Sequence, residues 1–154
     1  MSFAENLIHA VGRIPMNLPS SQPLSAMVEN LIPQGTAIQV RLNGLSDSEL
    51  NRRILTHIIG IERWATHRVG VFLGEPMVDD HYDSYRPPLE NQWVEMKQQF
   101  GSTRHATLVR FREIAARKVP DTMQVLHNGY GMLYPRGWLR YIHIHAMRES
   151  QKLK

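Results

Sequence analysis

Residues 46–72 read SDSELNRRILTHIIGIERWATHRVGVF, and this stretch decides the fold. Ser46 stands three residues before Glu49, the spacing of a capping box, in which Ser caps a helix and Glu reaches back to it. Leu50, Ile54, His57, Ile58, Ile61, Ala65, Val69 and Phe72 then recur at helical spacing. The pattern predicts one long amphipathic helix over 47–73, ended by Gly74-Glu75-Pro76. Such a helix must bury its apolar stripe against other elements.

Those elements lie on either side. Upstream, Leu24, Met27, Leu31, Ile38 and Leu42 are roughly in phase, which predicts a helix over 24–43 with Gly44 as its stop. Pro33 and Gly35 interrupt it and predict a kink or a restart. Downstream, residues 75–88 hold three prolines and the acidic pair Asp79-Asp80, and read as a long crossover loop. A third helix is expected over 90–118, with Trp93, Met96, Phe100, Thr107, Phe111 and Ile114 on one face and Pro120 as its stop. Pro120, Asn128-Gly129, Gly131 and Pro135 mark 120–136 as an irregular connection, and a last helix is expected over 137–152. No alternating run of strand length stands out. The reading is all-α: a four-helix bundle over 23–154 with long crossover loops. An irregular, proline-rich N-terminal arm over 1–22 precedes it, with a short helical turn near 4–10.

Composition narrows the chemistry. The chain has 154 residues, 42% of them hydrophobic and 21% charged, and no cysteine. Disulfides, thiolate metal sites and cysteine nucleophiles are excluded, so a bound metal must use His, Asp or Glu. Lys and Arg exceed Asp and Glu by 18 to 14, but the basic residues are scattered rather than gathered in a stripe, which argues against specific nucleic-acid binding. No run approaches the ~20 apolar residues of a membrane span. Residues 1–11 lack the form of a secretory signal, so a cytoplasmic protein with no membrane partner is expected. No phosphate-cradling glycine loop or serine-nucleophile motif is present.

Eight histidines remain. His57 falls inside the apolar stripe of the second helix, whereas His67 and His105 fall off the stripes of theirs. On the last helix Trp138, Ile142, His145 and Glu149 form one stripe, with spacings 4, 3 and 4. His143 lies about 200° round the helix from His145 and cannot share a site with it. The core-facing titratable groups are therefore His57, His145 and Glu149. Zinc accepts two His and one carboxylate with water in the fourth place, and iron accepts the same set on one face of an octahedron. Nickel and manganese are also compatible. The bland alternatives are a hydrogen-bonded core histidine at 57, and a Glu149 that is solvated or paired with Arg148, Lys152 or His145.

Three segments carry a resemblance. Leu55-Thr56-His57-Ile58-Ile59-Gly60-Ile61-Glu62-Arg63-Trp64 resembles the second-helix motif of the DinB/YfiT-like superfamily, with a His followed about five residues later by Glu and then an aromatic. Gly137-Trp138-Leu139-Arg140-Tyr141-Ile142 followed by His145 is similar to the start of that family's last helix. Leu45-Ser46-Asp47-Ser48-Glu49-Leu50 is similar to the end of its first. The resemblance implies an up-down-down-up four-helix bundle, often a homodimer. It also implies a divalent metal held by one His of the second helix and an H-x-x-x-H pair of the last. His57 matches the first of these and His145 the start of the pair, but Glu149 stands where the second His of the pair belongs. Either Glu149 ligates, giving a His–His–carboxylate site, or the site is degenerate and empty.

Two functions follow from that fork. The first is a metal-dependent enzyme in which the ion activates water, as in a hydrolase, or a low-molecular-weight thiol, as in an S-transferase. Tyr141, one turn before His145, then orients a small-molecule substrate or is simply a core aromatic. Asp79, Asp80 and His81 either reach the cleft or form a solvated acidic loop. The second is a non-catalytic dimeric helical module without metal, for which three Trp and eight Met supply apolar surface.

Overall fold

The computed structural model describes residues 15–154 and is mostly helical. α1 spans Leu24–Glu29, α2 Leu31–Asn43, α3 Glu49–Arg68, α4 Trp93–Ala116 and α5 Pro135–Ser150. Two 3-10 turns, Val69–Leu73 and Tyr82–Tyr85, continue α3 and punctuate the crossover loop. β1 (Val125–His127) and β2 (Gly131–Leu133) pair antiparallel, with Leu126 opposite Met132. α4 and α5 each pack against α3 on one side and against α1 and α2 on the other. The helical turn expected near 4–10 lies outside the described residues. The described end of the expected arm is docked: Met16 is buried, and Arg140 of α5 donates to the carbonyls of Pro15, Met16 and Leu18.

Local chemistry explains where the elements differ from the sequence reading. The break in the first helix falls at Asn30, ahead of Pro33. Proline cannot donate to the carbonyl four residues back and its ring collides with it, so the chain restarts and Pro33 takes the first turn of α2, where a missing N–H costs nothing. The α3 cap is Ser48 rather than Ser46: its hydroxyl accepts from the Asn51 N–H at 3.2 Å, while Glu49 pairs with Arg53. Pro135, read as a breaker, is the first residue of α5, the position that suits its fixed φ. The connection over 120–136 carries a hairpin that the sequence reading missed. The His127 Nδ1 accepts from the Gly129 and Tyr130 amides at 2.9 and 3.1 Å and closes its turn.

The core has two apolar clusters. One gathers Val28, Leu31, Trp64, Val69, Phe111, Ile114, Trp138 and Ile142. The other gathers Ile38, Leu42, Leu55, Ile58, Ile59, Met96, Phe100 and Ala146. Polar side chains form the seam where each helix passes from one cluster to the other. Glu62 of α3 is buried there and accepts from Arg104 and Thr107 of α4, both at 2.9 Å. Arg104 also donates to Gln34, whose amide donates to the His143 carbonyl of α5. Arg104 reaches this seam across Gly35, where a Cβ would stand 3.0 Å from its Cγ.

The crossover loop is not a solvated acidic strap. Asp80 is 12% exposed and accepts from Trp64 Nε1 at 2.9 Å, Arg68 at 2.6 Å and Tyr85 Oη at 2.6 Å. His67 joins the same group through Tyr85 and Asp80. Asp79 is exposed, and His81 is exposed and paired with Asp83. No helix among the described residues is long and apolar enough to cross a membrane.

Candidate metal centre

The loop fastened by Asp80 runs back over α3 at Gly60. A Cβ there would lie 2.6 Å from Arg86 Cγ and 3.1 Å from the Tyr82 carbonyl oxygen, so only a bare backbone admits the contact. The approach sets Tyr82 and Arg86 beside His57, one turn earlier on the same helix. The Tyr82 ring meets the His57 ring edge-on at 5.4 Å, and an Arg86 amino nitrogen stands 3.0 Å from His57 Nδ1. Arg86 in turn lies over the Tyr82 ring and pairs with Asp83.

Opposite, α5 presents His145 and Glu149 one turn apart. Their helical phase follows from the stripe whose apolar members, Trp138 and Ile142, are buried. The ligand atoms of His57, His145 and Glu149 all lie within 4.8 Å of one another and can hold a metal ion. The two Nε2 atoms are 3.1 Å apart. That is a hydrogen-bond distance, and it is also short enough for both nitrogens to reach one ion at about 2.1 Å. Tyr141 is buried against the same wall, its ring 5.8 Å from that of His145. It is a core aromatic that also meets His127 and Tyr130.

The electrostatics give the three groups the charge states a divalent ion needs, which are neutral imidazoles and an ionised carboxylate. Burial pushes the His145 pKa down to about 4, helped by the neighbouring His57. Burial, and then the Arg86 guanidinium, hold His57 below the ordinary histidine value. Burial raises Glu149, but the Lys152 hydrogen bond and the surrounding positive charge outweigh it and leave its pKa below the usual carboxylate value. Lys152 Nζ sits 2.6 Å from Glu149 Oε1.

One contact opposes the ion. A guanidinium only donates, so His57 Nδ1 accepts, and a neutral ring then carries its proton on Nε2, aimed at His145 Nε2. Histidines that bind metal ordinarily donate their other N–H to a carboxylate or carbonyl. Ligation through His57 Nε2 therefore requires Arg86 to leave Nδ1. The residue types suit a divalent ion, but donors about 2.1 Å from one ion stand at most about 4.2 Å apart, so a set spread within 4.8 Å must also draw together, and Lys152 holds one Glu149 oxygen.

Of the histidines set aside on periodicity, His105 is exposed and His143 lies away from the cluster, with Arg104 as its charged neighbour. Tyr82 and Arg86 were missed, because a loop has no period that would aim them. The nearest signal was Gly60, a glycine inside an otherwise strong helix pattern, which marks a close approach. The cluster opens into a cleft of about 650 Å³ lined by Leu50, Arg53, Ile54, His57, Arg86, Glu149, Lys152 and Lys154. No protein-family model, curated protein or solved structure matches the chain.

Proposed function

We propose that this chain is a divalent-metal-dependent enzyme, a four-helix bundle of the DinB/YfiT-like type acting as a thiol-dependent S-transferase or a hydrolase. The observation that carries the proposal is the convergence of His57, His145 and Glu149, from two separate helices, beside an open cleft that His57 and Glu149 line. A divalent ion, when bound, supplies a Lewis acid that makes a thiol or a water nucleophilic at neutral pH. The chain's own residues do the rest. Desolvation favours the neutral form of both imidazoles, Glu149 contributes the one negative charge, and the Tyr82 and Tyr141 rings pack against His57 and His145. The same reading carries a homodimer, for which light scattering is expected to give twice the 17.8 kDa chain mass.

A second reading has its own support. The His57–His145 hydrogen bond, the Arg86 contact and the Lys152–Glu149 pair satisfy every member of the cluster without an ion, as a metal-free helical module would require. Metal titration separates the two. Purified protein incubated with nickel, zinc, iron or manganese is expected to retain one equivalent after desalting, and chelator is expected to lower its melting temperature. His57→Ala is expected to abolish retention. Failure of wild-type protein to retain any of the four metals would end the enzyme reading.

A further inference from the structure

The cleft above the three candidate ligands is strongly one-sided in charge. Arg53, Arg86, Lys152 and Lys154 line it, against the single carboxylate of Glu149. The lining comes from α3, the crossover loop and the segment after α5, so the folded chain assembles it and no basic run in the sequence foretells it. Leu50 and Ile54 supply an apolar floor along α3. The volume of about 650 Å³ is that of a small-molecule site.

Lys152 is taken up by Glu149 and Arg86 is shared by Asp83 and His57, but Arg53 is not locked to its partner. Arg53 meets Glu49 in a pair exposed by 66% and 76%, and exposed pairs of this kind contribute little. Glu49 and Asp83, the carboxylates facing Arg53 and Arg86, do not line the cleft. An incoming anion can therefore exchange for them and meet cations from α3, the crossover loop and the segment after α5 on one shallow, open face. Arginine grips carboxylate and phosphate oxygens in pairs, and lysine adds a point charge.

We infer that the cleft binds a small anionic molecule, bearing a carboxylate or phosphate beside a short apolar portion, and that this anion is the substrate or co-substrate of the proposed enzyme. The anionic group sits at Arg53, Lys154 and Arg86, and the apolar portion lies on Leu50 and Ile54. That arrangement directs the remainder of the molecule towards His57 and Glu149. Arg86 has two uses in this arrangement: drawn to an anion, it leaves His57 Nδ1.

The inference rests on the metal-enzyme reading for the anion's role, but the anion's binding is testable without metal. Metal-free protein, dialysed into a non-coordinating buffer of low ionic strength, is titrated calorimetrically with succinate, with glycerol 2-phosphate and with neutral succinamide. At least one anion is expected to bind about tenfold or more tightly than succinamide, and whichever of the two binds more tightly assigns the class. Arg53 and Lys154 are exposed, so Arg53→Gln/Lys154→Gln is expected to fold normally by circular dichroism and to weaken the anion about fivefold or more. Equal binding of all three probes, or anion binding untouched by the double substitution, would overturn the inference. Metal retention measured on the same preparation reports separately on the enzyme reading: retained metal with no anion preference sinks only the anion, and anion preference with no retained metal sinks only the enzyme.

Discussion

At His57, two neighbours compete for one imidazole. Arg86 donates to Nδ1 at 3.0 Å, and the proton this leaves on Nε2 faces His145. Replacing the guanidinium by an uncharged chain of similar length frees Nδ1 to hold the proton and removes a positive charge from beside a cation. Both effects act in the same direction. Arg86→Met is therefore expected to tighten nickel binding by about threefold or more, read by calorimetry, while weakening the anion. Equal or weaker nickel binding would show that Arg86 does not oppose the ion. Glu149 is the other decisive residue. Its carboxylate brings a formal charge that Lys152 answers from three residues on, so the cluster carries its own counter-ion.

At the scale of elements, Asp80 fastens the middle of the crossover loop, while Arg110 pairs with Glu75 at its start and Arg52 donates to the Leu89 and Asn91 carbonyls at its end. Asp80 takes three donors from α3 and from the loop itself, and Arg68, 1% exposed, depends on it for its negative partner. Without that carboxylate Arg68 keeps only neutral acceptors, at Leu126 and Asn128 of the hairpin and at the Asp80 carbonyl. Asp80→Ala thus strands a buried guanidinium, and about 3 kcal/mol of stability is expected to be lost, measured by urea unfolding. The same substitution releases the turn that carries Tyr82 and Arg86, so anion binding to the cleft is expected to fall with it. A variant of wild-type stability would show that the loop is held elsewhere. The expected break in the first helix belongs at this scale too. Pro33 does impose it, but three residues earlier, because the ring acts on the preceding turn.

Over the whole molecule, the lowered histidines make stability depend on pH. In the unfolded chain a histidine titrates near 6.5, whereas His145 in the fold titrates at about 4 and His57 also below its ordinary value. Between these values the unfolded state binds more protons, so stability rises with pH across that window. The contribution is fully present above about pH 6.5 and is lost as pH falls towards 4, with His145 accounting for at most about 3 kcal/mol. Asp80, whose pKa is lowered by its Tyr85, Arg68 and Trp64 hydrogen bonds against the opposing effect of burial, adds a second loss of the same sign below about pH 4. Calorimetry of metal-free protein between pH 4 and 8 is expected to show a falling melting temperature on the acid side. His145→Gln is expected to flatten the slope between pH 4 and 6.5, and an unchanged slope would place the titrating group elsewhere.

Residues 46–72 determined by themselves that this chain is helical, because a period of 3.6 maintained over that length suits no other element. Helical periodicity also put His57, His145 and Glu149 on core-facing stripes, since a helix fixes the direction of a side chain from its position along the axis, but it passed over Glu62, Arg68 and Arg104, which are buried more deeply. Boundaries were legible only where a breaker acts on its own residue, as at Gly44 and Gly74. Ser48, which the capping-box spacing did not single out, is the α3 cap in place of Ser46, through the contact of its hydroxyl with the Asn51 amide. The hairpin over 125–133 was beyond a periodicity argument, being too short to show alternation and closed by His127 through the Gly129 and Tyr130 amides. Only the tertiary structure decided what surrounds the three candidate ligands. Tyr82 and Arg86 arrive on a loop, Lys154 follows the last helix, and their convergence depends on Gly60 admitting the loop and Asp80 fastening it. Helical phase projects a side chain from a known axis, but a loop has no axis, and its course is set by long-range contacts that no local pattern encodes.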